Sequence, residues 1–156
     1  MRRFGVLFGF VLFEGALACL QAQKPVAVTG VQSLTFGSVF PGVPVHILRT
    51  DAVHSGQLNI RGNKNAGIQI TFTLPANMTG PLGASMPLSY GSTDAGYSNP
   101  QNIGTQLPFD PRAPYTTALD KNGDAIVYLG ATASPSVTQR AGSYTATITM
   151  TVVYFP

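Results

Sequence analysis

The last fifteen residues of the chain, GSYTATITMTVVYFP from 142 to 156, alternate apolar and polar positions. Tyr144, Ala146, Ile148, Met150, Val152 and Tyr154 fall on one side, and Thr145, Thr147, Thr149 and Thr151 on the other. A two-residue period places successive side chains on opposite faces of a strand. The run therefore predicts a β-strand with one buried face, about twice the usual strand length.

Similar patterns recur upstream. Val26 to Val39 reads as extended, with Val26, Val28, Leu34 and Phe36 on one parity and Gly30 as a break or bulge. After the FPGVP turn at 40–44, Val43, Val45 and Ile47 alternate. QLNIRGNKNAGIQITFTLP reads as a hairpin, with Leu58 and Ile60 before the turn and Ile68, Ile70, Phe72 and Leu74 after it. A further strand covers Met86 to Tyr90. Residues 91–114, rich in Ser, Asn, Gly, Gln and Pro, read as a long loop or an irregular pair of short edge strands. DKNGD at 120–124 turns the chain into AIVYLGAT.

No stretch repeats apolar residues at three and four, and Gly and Pro punctuate the chain too often for ordinary helices. Seven or eight strands separated by turns predict an all-β fold, an immunoglobulin-like antiparallel β-sandwich. One parity of each strand would supply its core: Leu34, Phe36, Ile68, Ile70, Phe72, Ile126, Tyr128, Tyr144, Ile148, Met150 and Val152.

The N-terminus lies outside this pattern. Arg2 and Arg3 precede an apolar run, Phe4 to Phe13, followed by the small residues of GALACLQA. This is the pattern of a secretory signal peptide over residues 1–22, leaving one sandwich domain over 23–156. The apolar run is shorter than the roughly 20 residues a spanning helix needs, and no later stretch is long enough, so the mature chain is expected to have no transmembrane helix. Cleavage after Ala22 removes Cys19, the only cysteine, and with it any disulfide. The ALA before Cys19 offers a second cut. It also leaves a lipid-anchored reading open, although Ala16 stands where a lipobox has an aliphatic residue. Secretion points to a periplasm, a cell surface or the extracellular space.

Without Arg2, Arg3 and Glu14 the chain keeps seven basic and five acidic side chains. The basic residues are scattered, which argues against a nucleic-acid partner. His46, Asp51 and His54 could attract a metal, but no third histidine or mature cysteine completes a site, so they read as residues flanking a turn. Asp120, Asn122 and Asp124 resemble a calcium loop only faintly and read as a hairpin turn. No nucleophile elbow, phosphate loop or paired-carboxylate motif occurs, and Glu14 is the only glutamate. The expectation is a protein that is not an enzyme, with no cofactor and no metal. Tyr90, Tyr97, Phe109 and Tyr115 would either cover the sandwich end or, less economically, stack on a sugar or a partner.

Two stretches carry a resemblance: LTFGSVFPG at 34–42 and LDKNGDAIVYLGAT…QRAGSYTATITMTVVY at 119–154. Together they resemble the ends of a bacterial family of secreted domains of unknown function (DUF4402-like), similar in plan to pilin and spore-coat U subunits. Chaperone–usher pilins end on an alternating strand, with a glycine one strand length before the end and a tyrosine next to last. Gly142 matches that glycine, while Tyr154 stands one place early.

The resemblance implies a fimbrial structural subunit. In such a protein the strand Tyr144, Ala146, Ile148, Met150, Val152 and Tyr154 borders a groove that another subunit or a periplasmic chaperone fills with an extended segment. Gly37 and Gly142 become structural glycines, and Val26, Val28 and Gly30 a short donor arm. The partners implied are other copies of the chain or related subunits. Edge physics supports strand addition independently, because Thr145 to Thr151 contains no lysine or proline to blunt an exposed edge. The competing expectation is a self-complete secreted adhesion or glycan-binding module that uses the loop 91–114.

Overall fold

The computed structural model describes residues 24–99 and 101–156. Residues 1–22, which the sequence pattern reads as a signal peptide, and Cys19 among them, lie outside the described residues. Twelve strands occur among those described: β1 Ala27–Gln32, β2 Val45–Ile47, β3 Gly56–Arg61, β4 Gly67–Thr73, β5 Asn77–Thr79, β6 Ser85–Ser89, β7 Ala95–Ser98, β8 Leu107–Phe109, β9 Tyr115–Ala118, β10 Asp124–Leu129, β11 Ala131–Ala133 and β12 Thr149–Tyr154. The described helices are two 3-10 turns, Pro81–Gly83 and Ile103–Thr105. The fold is all-β and antiparallel, as the alternation predicts. The strand count exceeds seven or eight because short pieces such as β5, β8 and β9 pair on their own.

The strands form a five-stranded sheet β1-β3-β10-β7-β8, a three-stranded sheet β12-β4-β9 and a four-stranded sheet β2-β11-β6-β5. The main core lies between the first two. Ile60, Ala125, Val127, Leu129, Ala95, Tyr97 and Phe109 from one sheet meet Ile68, Ile70 and Met150 from the other. Each fully buried isoleucine among them contributes roughly 1.5–3 kcal/mol of transfer free energy. A smaller core of Met78, Met86, Leu88 and Ala133 belongs to the four-stranded sheet, with Phe36 and Tyr144 packed against it.

Several expectations change. QLNIRGNKNAGIQITFTLP is not a hairpin: β3 pairs with β1 and β10, and β4 pairs with β12 and β9. The turn at 62–66 instead crosses between sheets, and so does DKNGD, which links β9 to β10. The two crossings bond to each other, Gly62 N–H to Gly123 O (2.8 Å), Asn65 N–H to Asp120 O (2.9 Å) and Leu119 N–H to Ala66 O (2.9 Å), and close one end of the sandwich. The inward parity of β10 is also reversed. Ala125, Val127 and Leu129 face the core, while Ile126 and Tyr128, though buried, are absent from it. Tyr128 lies under outer loops near residues 52 and 101–103. Residues 91–114 contain two strands, and β7 is an interior one with every residue buried.

The DKNGD turn rests on the Asp120 carboxylate, which accepts from the Asn122 and Asp124 amides at 2.7 and 2.8 Å. The Asp124 amide is the main cause that lowers the Asp120 pKa. Amides of Val53 and His54 lower Asp51 in the same way, and the Arg112 side chain draws Asp110 down to about 2. A carboxylate whose folded pKa lies below its unfolded value, about 4, adds stability above that value and loses it as pH falls through the folded pKa. The urea midpoint is therefore expected to fall progressively between about pH 4 and about pH 2. Asp120→Asn, which keeps an acceptor but does not titrate, should make that fall shallower.

Candidate functional site

The sandwich has two open sides, and they are closed differently. On one side β8 and β9 are the edge strands, and an aromatic stack seals them. Phe109 and Tyr115 lie 4.1 Å apart and nearly parallel, with Phe72 and Tyr97 beside them at 6.5 and 6.1 Å. Tyr97 donates its hydroxyl to Ala118 O at 2.6 Å, and burial pushes its pKa to about 12. Burial raises Tyr90 to about 12 as well, and Tyr90 packs against both cores. Of the two roles open to these four aromatics, the structure shows the covering one.

On the other side β1 and β12 lie against one another. The lower part of this seam is clamped: Tyr154 donates its hydroxyl to Lys24 O at 2.6 Å and accepts from Asn63 N–H at 2.8 Å, while Val26 packs on the main core. Above the clamp the seam opens into a groove of about 830 Å³. One wall is the extended segment 33–39, which follows β1. The other is 139–146 with Ile148, which leads into β12. Met78, Met86 and Leu88, all largely buried, lie at its floor, and its walls mix apolar side chains with Ser33, Thr35, Ser38 and Gln139.

The long terminal strand is not continuous. β12 pairs with β4 from Thr149↔Thr73 to Tyr154↔Ile68, and Thr145 alone pairs with Thr79 of β5. Between those registers five residues, 74–78, stand opposite three, 146–148. Pro75 lies in the longer side and has no N–H to give a ladder. The alternation predicted for the strand nevertheless holds at its side chains: Met150 is buried, Tyr144, Ile148, Val152 and Tyr154 are half-buried, and the threonines are exposed. Ala146 departs from the apolar row in being exposed, at the groove.

Thr145 and Thr79 exchange both backbone bonds, Thr79 N–H to Thr145 O at 2.8 Å and Thr145 N–H to Thr79 O at 3.0 Å. In an antiparallel pair the flanking residues point their backbone groups the opposite way. Tyr144 and Ala146 thus direct N–H and C=O away from β5, toward the open side. On the facing wall Thr35 N–H bonds to His54 O at 2.9 Å, and residues 36–39 have no ladder partner among the described residues. Both walls are tied to the body but not to each other.

The loop before the final strand is held firmly. The Tyr144 hydroxyl donates to Arg140 O at 2.8 Å and accepts from Gln139 Nε2 at 2.6 Å, and Gln139 also reaches Ser85 O at 3.2 Å. Gly142 has φ of 144°, and a Cβ there would run into Pro81. Gly37, with φ of 63°, bends the opposite wall in the left-handed region. Val28 and Gly30 are part of β1, paired with Ile60 and Leu58 of β3, and the register shifts just after Gly30.

The histidines take separate partners. His46 Nε2 lies 3.2 Å from Asp94 Oδ1, and His54 Nδ1 lies 2.9 Å from Asp51 Oδ2. Among the described residues no three or more His, Cys, Asp or Glu side chains gather as a metal site needs. No helix among them is long and apolar enough to cross a membrane.

Sequence reasoning missed Met78 and the role of Gln139. Met78 sits in a three-residue strand, too short for a periodic signal. The GPLG turn between Met78 and Met86 was the available clue to a hairpin there. No protein-family model matches the chain, and no curated protein is similar to it.

Proposed function

We propose that the protein is a secreted, non-enzymatic structural subunit of a pilus-like or cell-surface assembly that associates by β-strand addition in the groove between 33–39 and 139–148. One observation carries this reading: Thr145 spends its backbone bonds on β5, so Tyr144 and Ala146 face the groove with backbone groups to offer. An incoming extended segment would gain main-chain bonds from that wall and bury alternate side chains over Met78, Met86 and Leu88. The resemblance to secreted DUF4402-like and pilin-like subunits points the same way. So does the signal-peptide pattern, which sends the chain to the periplasm, the cell surface or beyond.

The donor is a second copy of the chain, contributing Val26, Val28 and Gly30, with a periplasmic chaperone as an earlier occupant of the groove. Every side chain from Ala27 to Val31 is exposed in β1, but Val26 packs on the main core, so donation must release Val26 and the β1–β3 ladder as well. Gly30 allows close backbone approach.

Size exclusion of the mature chain, alone and with a peptide of residues 24–32, tests the proposal. Concentration-dependent oligomers that the peptide dissolves are expected, together with a rise in thermal stability as peptide binds the native state. The same peptide with Asp at positions 26 and 28 should do neither. A monomer at every concentration that ignores both peptides would sink the reading.

A further inference from the structure

We propose that a second cleft, on the outer face of the five-stranded sheet, binds a neutral carbohydrate. It is a shallow, open depression of about 530 Å³ that shares no lining residue with the groove. Gln32, Gln57, Gln101, Asn102, Ile103 and Tyr128 line it together with Ala52.

The ladder sets out three of these side chains in a row. Gln32 pairs with Gln57 across β1 and β3, and Gln57 pairs with Tyr128 across β3 and β10. Directly paired residues share a sheet face, and neighbouring strands are roughly 4.8 Å apart. The row therefore repeats on the scale of one sugar ring per strand.

Internal bonds fix which polar atoms remain. Gln32 Nε2 donates to Ser55 O at 2.7 Å and Ala52 O at 3.2 Å, and Gln57 Nε2 donates to Ala52 O at 3.4 Å. Both Oε1 atoms have no protein partner among the described residues and are acceptors. Asn102 Oδ1 accepts from Gly104 N–H at 2.8 Å, which leaves its Nδ2 as a donor. Burial raises the Tyr128 pKa, so its hydroxyl stays protonated.

Acceptors beside donors match hydroxyl groups, which do both. Ile103, half-buried, adds apolar surface for the C–H face of a ring, whereas Tyr128 is buried and contributes at most its hydroxyl edge. No Asp, Glu, Lys, Arg or His lines the cleft, so a charged ligand would lose water without gaining a counter-charge.

The test is calorimetric and NMR titration of the mature chain with maltotriose, cellotriose and chitotriose, beside sialyllactose and a neutral Ser-Gly peptide. At least one neutral trisaccharide should bind at millimolar concentration or better, with little salt dependence. Tyr128→Phe and Gln57→Met should each weaken binding about tenfold, since each leaves a sugar hydroxyl unpaired. Gln101→Ala, an exposed change, guards against a folding artefact, and unfolding curves accompany all three variants. The proposal is overturned if no trisaccharide binds, if the charged sugar or the peptide is preferred, or if the folded variants bind like the parent.

Discussion

Tyr154→Ala is expected to lower the unfolding free energy by about 3 kcal/mol or more, read from urea denaturation. Its ring packs on the main core, and its hydroxyl joins two segments remote in sequence, donating to Lys24 O and accepting from Asn63 N–H. The alanine variant loses the ring's burial and leaves a gap beside Gly62 and Leu119, which flank the phenol. Tyr154→Phe separates the two contributions, because it keeps the ring and removes only the bonds, at about 1–3 kcal/mol. The alanine change should also release the chain near Lys24, seen as faster amide exchange in β1 than in β10. If both variants match the parent, the clamp does not hold the seam.

That clamp shows what the sequence makes legible and what it does not. Alternation in β4 and β12 correctly places Ile68, Ile70, Met150 and Val152 inward, because a strand with one wet face must alternate. In β10 the rule has nothing to act on. Five of its six residues are buried, so AIVYL is a continuous apolar run whose two faces cannot be told apart by period, and the reversed parity follows. The turn 62–66 has the composition of a hairpin loop, but turn residues record a local bend, not which sheet the next strand joins. The hydroxyl bonds of Tyr154 reach back to Lys24 and Asn63, and no short-range pattern encodes so distant a partner. The groove was half legible. Tyr144, Ala146 and Ile148 stand out as its alternating wall, whereas Met78 sits in a strand too short to show a period and the 33–39 wall joins no strand whose alternation could mark it.

Ala146→Pro is expected to abolish assembly while leaving the monomer folded, a separation that few substitutions in a sheet protein allow. Proline removes one backbone donor and fixes φ near −65°. Within a ladder that loss is destructive, but Ala146 lies in the 146–148 gap, where the described chain makes no backbone bond from its N–H. Its N–H points to the groove because the neighbouring Thr145 has both its bonds to Thr79. The residue before a proline is driven toward extended backbone, the conformation a bridge residue such as Thr145 already has. Folding should therefore change by less than about 1 kcal/mol. An added strand would lose a main-chain bond at the centre of its site and meet the pyrrolidine ring, a penalty of several kcal/mol and at least about a hundredfold in affinity. Sedimentation and urea melts of parent and variant give the decisive comparison. A folded variant that still oligomerises would place the interface on some other edge, with β8 and β9, the remaining edges of the two core sheets, next to be tested.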